Sequence, residues 1–210
     1  REKFPYREDV LAWHITRLVS IVLGAVTIWA TWQISREIFP DDATIAFGAS
    51  AFVAFLPSFI ALSAVVNNDN LIIALTSLGT LQVVRIWHRG MNPREAVKIG
   101  VLLGLSALTK LSGLATWIFV GLVFLLMARK TGNWKSLAFP VALCYATASA
   151  LVAPWLIYNF FTYGDPLGWS VILATTPIRT EPMTRQDATA IVQGLFTSFW
   201  GRFGGALHLH

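Results

Sequence analysis

The chain has 210 residues, of which 55% are hydrophobic and only 13% charged, a balance that excludes an ordinary water-soluble domain. Its net charge of +5 sits in short connections between apolar runs, so it reports topology and excludes nucleic acid as the partner. The one cysteine, Cys144, lies inside an apolar run, which excludes a disulfide framework.

The chain opens in a charged segment, Arg1 to Asp9, without the basic, apolar and cleavage regions of a signal peptide. At the other end Ser198 to His210 runs out through Gly204, Gly205 and His208 with no terminal element. We therefore expect a portion of a longer protein. The first apolar run, about Ile15 to Ile34, stops at Arg36, Glu37, Pro40, Asp41 and Asp42, where charge and proline end a spanning helix. The second, about Ile45 to Val66, ends at Asn67, Asn68, Asp69 and Asn70; the third, about Leu71 to Trp87, gives way to a connection with Arg89, Gly90, Pro93 and Arg94.

From Val97 to Met127 the sequence is apolar apart from Lys98 and Lys110. A single helix of that length would run about 46 Å at 1.5 Å per residue, well beyond a hydrocarbon core of about 30 Å. Lys110, Ser112 and Gly113 fall near its middle, so two short helices, Val97 to Thr109 and Leu114 to Met127, joined by a tight turn, are expected. Loop charge agrees. With two helices, Arg36, Arg85, Arg89, Arg94, Lys98, Arg129, Lys130 and Lys135 share one face, the cytoplasmic one. A last run, about Leu137 to Phe161, carries Pro140 and Pro154, where it can kink. Beyond Thr162 the chain turns polar and irregular. The expected architecture is an all-α polytopic transmembrane bundle of about six helices over residues 1–161, followed by a non-cytoplasmic juxtamembrane segment over 162–210. Trp13, Trp87, Trp134, Trp155 and Trp169, near run ends, fit an interfacial belt.

On this topology Asn67 to Asn70, Lys110, Arg17 and the segment from Tyr158 onward converge at the non-cytoplasmic face. Such residues are costly in lipid and mark a candidate site. Asp69 with its flanking amides can accept a proton or bind sugar hydroxyls; its plain alternative is a helix cap. Lys110 suits a lipid-linked phosphate held at the interface, and its alternative is snorkelling from a short helix. Arg17 is a second phosphate candidate, or an interfacial anchor. No metal motif is present: His14 and His88 lie on opposite sides, and His208 and His210 stand two apart at the terminus. No glycine-rich phosphate loop and no Ser/His/Asp arrangement occurs.

Four stretches resemble the polytopic GT-C type glycosyltransferases that use polyprenyl-phosphate sugars, the group of protein O-mannosyltransferases and aminoarabinose transferases. They are Arg17-Leu18-Val19-Ser20 with Gly24-Ala25; Leu56-Pro57-Ser58 through Asn67-Asn68-Asp69; Gly100 to Gly104 and on through Leu108-Thr109-Lys110; and Ala153-Pro154-Trp155 with Asn159 and Gly164-Asp165-Pro166-Leu167. Val66-Asn67-Asn68-Asp69 and Ser198-Phe199-Trp200-Gly201-Arg202-Phe203-Gly204 are similar to a bacterial branch of predicted membrane proteins in that group.

The resemblance implies sugar transfer from a polyprenyl-phosphate donor to an acceptor hydroxyl or amine at the outer face of a bacterial inner membrane. Lys110 would steady the departing phosphate, and Asp69 would bind sugar or position the acceptor, as the candidate catalytic carboxylate on this chain. Asn67, Asn68, Arg17 and Asn159 complete the expected substrate contacts. The resemblance leaves room for a divalent cation and implies membrane lipid and the lipid-linked donor as partners. The group's principal carboxylate lies in an outer loop upstream of the Arg17 run, a part this chain does not include, and Tyr158 stands where the late segment often carries Arg. The rival reading is a non-catalytic polytopic subunit of a larger membrane complex. A transporter is disfavoured, because the chain has no internal repeat.

Overall fold

The computed structural model describes residues 8–175 and 182–201, and among these every regular element is helical. Helix α1 covers Glu8–Ile38, α2 Ala43–Phe55, α3 Pro57–Ser63, α4 Asp69–Arg89, α5 Pro93–Thr109, α6 Leu114–Thr131, α7 Trp134–Tyr163, α8 Trp169–Thr175 and α9 Arg185–Phe199. The structure is the all-α polytopic bundle that the hydropathy predicts. Four of the described helices are long and apolar enough to cross a membrane, or five if α2 and α3 count as one bent span. Helix α5, with 17 residues, is about 25 Å long and is the shortfall against the expected six.

Residues at the helix ends account for the segmentation. Asp42 Oδ1 accepts from the backbone N–H groups of Thr44 and Ile45 at the start of α2, and Asn92 does the same for Arg94 and Glu95 at the start of α5. Gly90, Gly132 and Gly164 close α4, α6 and α7 with φ of +81°, +65° and +70°, a conformation cheap only for glycine. The expected break in the long apolar stretch is present. Lys110 leaves the helix with φ −159° and ψ 141°, and a single 3₁₀ turn, Leu111–Gly113, leads into α6. Helix α7 runs unbroken through Pro140 and Pro154.

Two expectations need correction. The second apolar run is not one helix: α2 and α3 meet at 63°. Pro57 has no N–H to donate and drives Leu56 out of the helical region, to φ −67° and ψ 119°. Beyond Thr162 the described residues are largely helical rather than irregular. In α9 a capping box between Thr184 and Asp187 starts a helix whose apolar residues, Ile191, Val192, Leu195, Phe196 and Phe199, recur at helical spacing.

Helix α5 is the centre of the bundle, packed against α7 on one side and α4 on the other. Gly100 and Gly104 permit this approach. A Cβ on Gly104 would sit 2.9 Å from Leu151 Cβ, and one on Gly100 would press into the Cys144 carbonyl and lie 2.8 Å from Thr147 Cβ. Trp117 Nε1 donates to the Leu103 carbonyl at 3.0 Å, and the Tyr145 hydroxyl donates to the Trp117 carbonyl at 2.8 Å. These bonds tie α5, α6 and α7 together where no water is at hand to satisfy them. The core around them runs from Ile86 and Ile99 to Phe124, Cys144 and Ala148.

The chain crosses back and forth between two unlike ends. At one, Glu37 receives Arg85 Nε at 2.9 Å and Arg89 Nη2 at 2.6 Å, and Lys130 Nζ lies 4.7 Å over the Trp87 ring. This groups the basic connections that loop charge assigns to one face. The other end carries Asn67 to Asn70, Lys110 and the exit from α7.

Candidate functional site

Helix α4 begins at Asp69 and α5 ends at Thr109, and the packing of α4 on α5 brings these termini together. Lys110 Nζ donates to Asp69 Oδ1 at 2.5 Å. Asn68 Nδ2 donates to the Thr109 carbonyl at 3.3 Å, so two adjacent residues of one loop hold two adjacent residues of the other. The Lys110 and Asp69 side chains are 43% and 35% exposed. They form a charge pair that stays within reach of an incoming ligand.

The four-residue polar cluster divides its work. Asn67 Oδ1 accepts from the Asn70 backbone N–H at 3.1 Å and so caps α4, a task the sequence assigned to the cluster without saying which residue performs it. Asn70 is buried and donates to the Leu62 and Val65 carbonyls, both at 2.9 Å, where it satisfies the frayed end of α3. Asp69 is left facing Lys110. It lies in the first turn of α4, where the helix dipole favours its negative charge.

Arg17 lies on the exposed face of α1. Its turn borders the cluster, because a groove of about 350 Å³ is lined by Ala12, Trp13, Thr16 and Val66. No ion pair joins it to Asp69 among the described residues. Asn159 is placed differently from the other candidates. It is buried, and its Nδ2 donates to the Pro166 carbonyl at 3.1 Å, so it secures the exit from α7. Asp165 organises the same loop, with its carboxylate accepting from the Ser170 and Leu167 backbone N–H groups; those bonds hold its carboxyl below the usual carboxylate range. Tyr158 is exposed on α7.

Sequence reasoning did not find the apolar cavity beside the α5–α6 turn. About 250 Å³ in volume, it lies between the α5–α6 turn and α7, against Leu111, Leu114, Trp117, Val152, Trp155 and Leu167. The signal was faint: Trp155 and Leu167 are unremarkable in an apolar chain until α7 is seen to pass the Lys110 turn. No three of His, Cys, Asp or Glu come together among the described residues. His208 and His210 lie outside the described residues.

A helical bundle with four or five spans long and apolar enough to cross a membrane, and a charge pair where α4 begins and α5 ends, defines a polytopic membrane protein. The model of the dolichyl-phosphate-mannose-protein mannosyltransferase family matches residues 11–158, and the chain belongs to that family, within the GT-C glycosyltransferase superfamily. No curated protein and no solved structure matches the chain. The match takes in most of α1, all of α2 to α6 and most of α7, including Asp69 and Lys110.

Proposed function

We propose that this chain contributes the donor-phosphate end of a membrane glycosyltransferase that moves a sugar from a polyprenyl-phosphate carrier to an acceptor at the non-cytoplasmic face. The observation that supports the reading is Lys110, paired with Asp69 where α5 ends, in a turn whose next residue, Leu111, lines an apolar cavity. A polyprenyl-phosphate sugar needs that pair of features: a positive charge for its phosphate and an apolar slot for the start of its tail.

In the transfer, an acceptor oxygen or nitrogen forms a bond to the anomeric carbon while the bond from that carbon to the phosphate oxygen breaks. The electron pair leaves with the polyprenyl phosphate, and the acceptor's proton passes to a carboxylate. Lys110 stabilises the charge that develops on the departing phosphate. Asp69 holds the ammonium in place before the donor arrives and, once Lys110 turns to the phosphate, is free to accept from sugar or acceptor hydroxyls. Asn67 and Asn68 frame it, and Arg17, one surface away on α1, is the second cation for the phosphate. Residues 1–161 act as the bundle that seats the donor, and 162–210 as a juxtamembrane segment at the same end.

The test is release of polyprenyl phosphate from radiolabelled polyprenyl-phosphate mannose by the native protein in liposomes. Lys110→Ala and Asp69→Asn should each reduce turnover at least about 100-fold, the loss expected for one transition-state contact, while membrane insertion is unchanged. Wild-type turnover in both variants would reduce the pair to a structural tie, and absence of turnover in the native protein would favour the non-catalytic subunit.

A further inference from the structure

The opposite end of the bundle holds a second pocket, about 210 Å³, between the last turns of α4 and the first turns of α5. Gln82, Arg85, Arg89, Asn92, Glu95 and Lys98 line it. Lys98 Nζ is paired with Glu95 at 2.8 Å, and Arg85 and Arg89 share Glu37. Three cations against two carboxylates leave one positive charge on the pocket. Arg85 reaches Glu37 through Nε, and no other bond of Arg85 occurs among the described residues. The two terminal nitrogens of its guanidinium, a fork that matches phosphate oxygens, therefore remain for a ligand.

We propose that this pocket binds the phosphate of an anionic phospholipid headgroup. Charge complementarity selects the ligand, since a headgroup with one net negative charge neutralises the single surplus cation and a zwitterionic headgroup does not. Depth selects a lipid over a soluble ion. Arg89 lies in the last turn of α4 and Gln82 seven residues earlier, about 10 Å further into the helix. An interfacial layer is roughly 5–8 Å thick on each side of the hydrocarbon core, so the lining reaches from the phosphate plane to the ester level. Arg89 stands at the first, the neutral amide of Gln82, suited to ester carbonyls, at the second, and Arg85 between the two. Basic pockets between membrane helices hold acidic headgroups through this kind of contact. The site is independent of sugar transfer, because it shares no residue with the Asp69–Lys110 end.

Native mass spectrometry of the purified protein, released from micelles with phosphatidylglycerol, phosphatidylcholine or inorganic phosphate, tests the proposal. The wild type should retain phosphatidylglycerol in preference to phosphatidylcholine. Lys98→Gln, which removes an exposed cation from the lining, should weaken retention roughly fivefold, the share of one interfacial cation. Gln82→Ala should also weaken it with no change in charge, and Arg94→Gln, an exposed cation at the same end but outside the pocket, should leave it intact. Equal retention of the two lipids, or equal losses in Arg94→Gln and Lys98→Gln, would overturn the proposal. Displacement of the lipid by an equal concentration of inorganic phosphate would assign the pocket to the soluble ion and overturn the lipid.

Discussion

Lys110 Nζ and Asp69 Oδ1 lie 2.5 Å apart although 41 residues separate them in the chain. Helix α5 stops at Thr109 and α4 starts at Asp69, so the pair bridges the end of one helix and the beginning of another at the same membrane face. A charge swap separates a structural tie from a role in phosphate handling. Asp69→Lys combined with Lys110→Asp keeps an ion pair, and a pair this exposed contributes at most about 1 kcal/mol to stability. Thermal unfolding of the swapped protein should stay close to wild type. Transfer should remain lost, because a carboxylate at position 110 repels the departing phosphate.

Gly100 and Gly79 should respond to alanine with opposite sign. At Gly100 the new methyl meets the Cys144 carbonyl and Thr147 of α7, and overpacking of this kind costs about 1–3 kcal/mol. At Gly79, inside α4, a Cβ meets nothing within 4 Å, so alanine should stabilise by about 0.5–1 kcal/mol through helix propensity. Unfolding midpoints of both variants in one detergent check the pair.

Asn159 should behave as a structural residue of the α7 exit. Its amide satisfies the Pro166 carbonyl from a buried position, and an acceptor stripped of its donor costs about 1–3 kcal/mol. Asn159→Ala should lower the unfolding midpoint and speed proteolysis near Asp165, with any change in transfer following the loss of folded protein. A rise in donor KM with unchanged stability would return Asn159 to the substrate contacts.

The exit loop should also be sensitive to acid in a defined direction. The Ser170 and Leu167 backbone N–H groups depress the Asp165 carboxyl below its ordinary value of 3.8. A depressed folded value means that the stabilisation is fully present above the unfolded value and is lost as pH falls through the folded one. Limited proteolysis of residues 164–170 should therefore be flat from neutral pH down to that ordinary value and rise only below it. Asp165→Asn, which keeps one acceptor oxygen but not the charge, should remove the acid step.

Several features of the fold are legible along the chain because membrane helices are written in length and hydropathy. The break at Lys110 follows from a run too long for one span, and the grouping of Arg85, Arg89 and Lys130 at one end follows from loop charge. The bend at Pro57 was legible in principle, because proline constrains the residue before it, but a continuous apolar count passes over it. The helices beyond Thr162 were missed for the opposite reason: their polar residues read as loop, although Thr184 and Asp187 have capping-box spacing.

The sequence by itself determined that this is an all-α membrane protein, where the long apolar stretch breaks at Lys110, and that its unusual polar residues gather at one end, since each of these depends on the order of residues along one strand of chain. Only the tertiary structure decided that Asp69 pairs with Lys110, that Asn70 and Asn159 spend their amides on backbone carbonyls, and that a cavity opens beside the α5–α6 turn. Those facts depend on which way each helix is rotated and which helix it meets. In a helix such as α7, apolar nearly all round, the sequence carries little record of either, because lipid and neighbouring helices ask for the same residues.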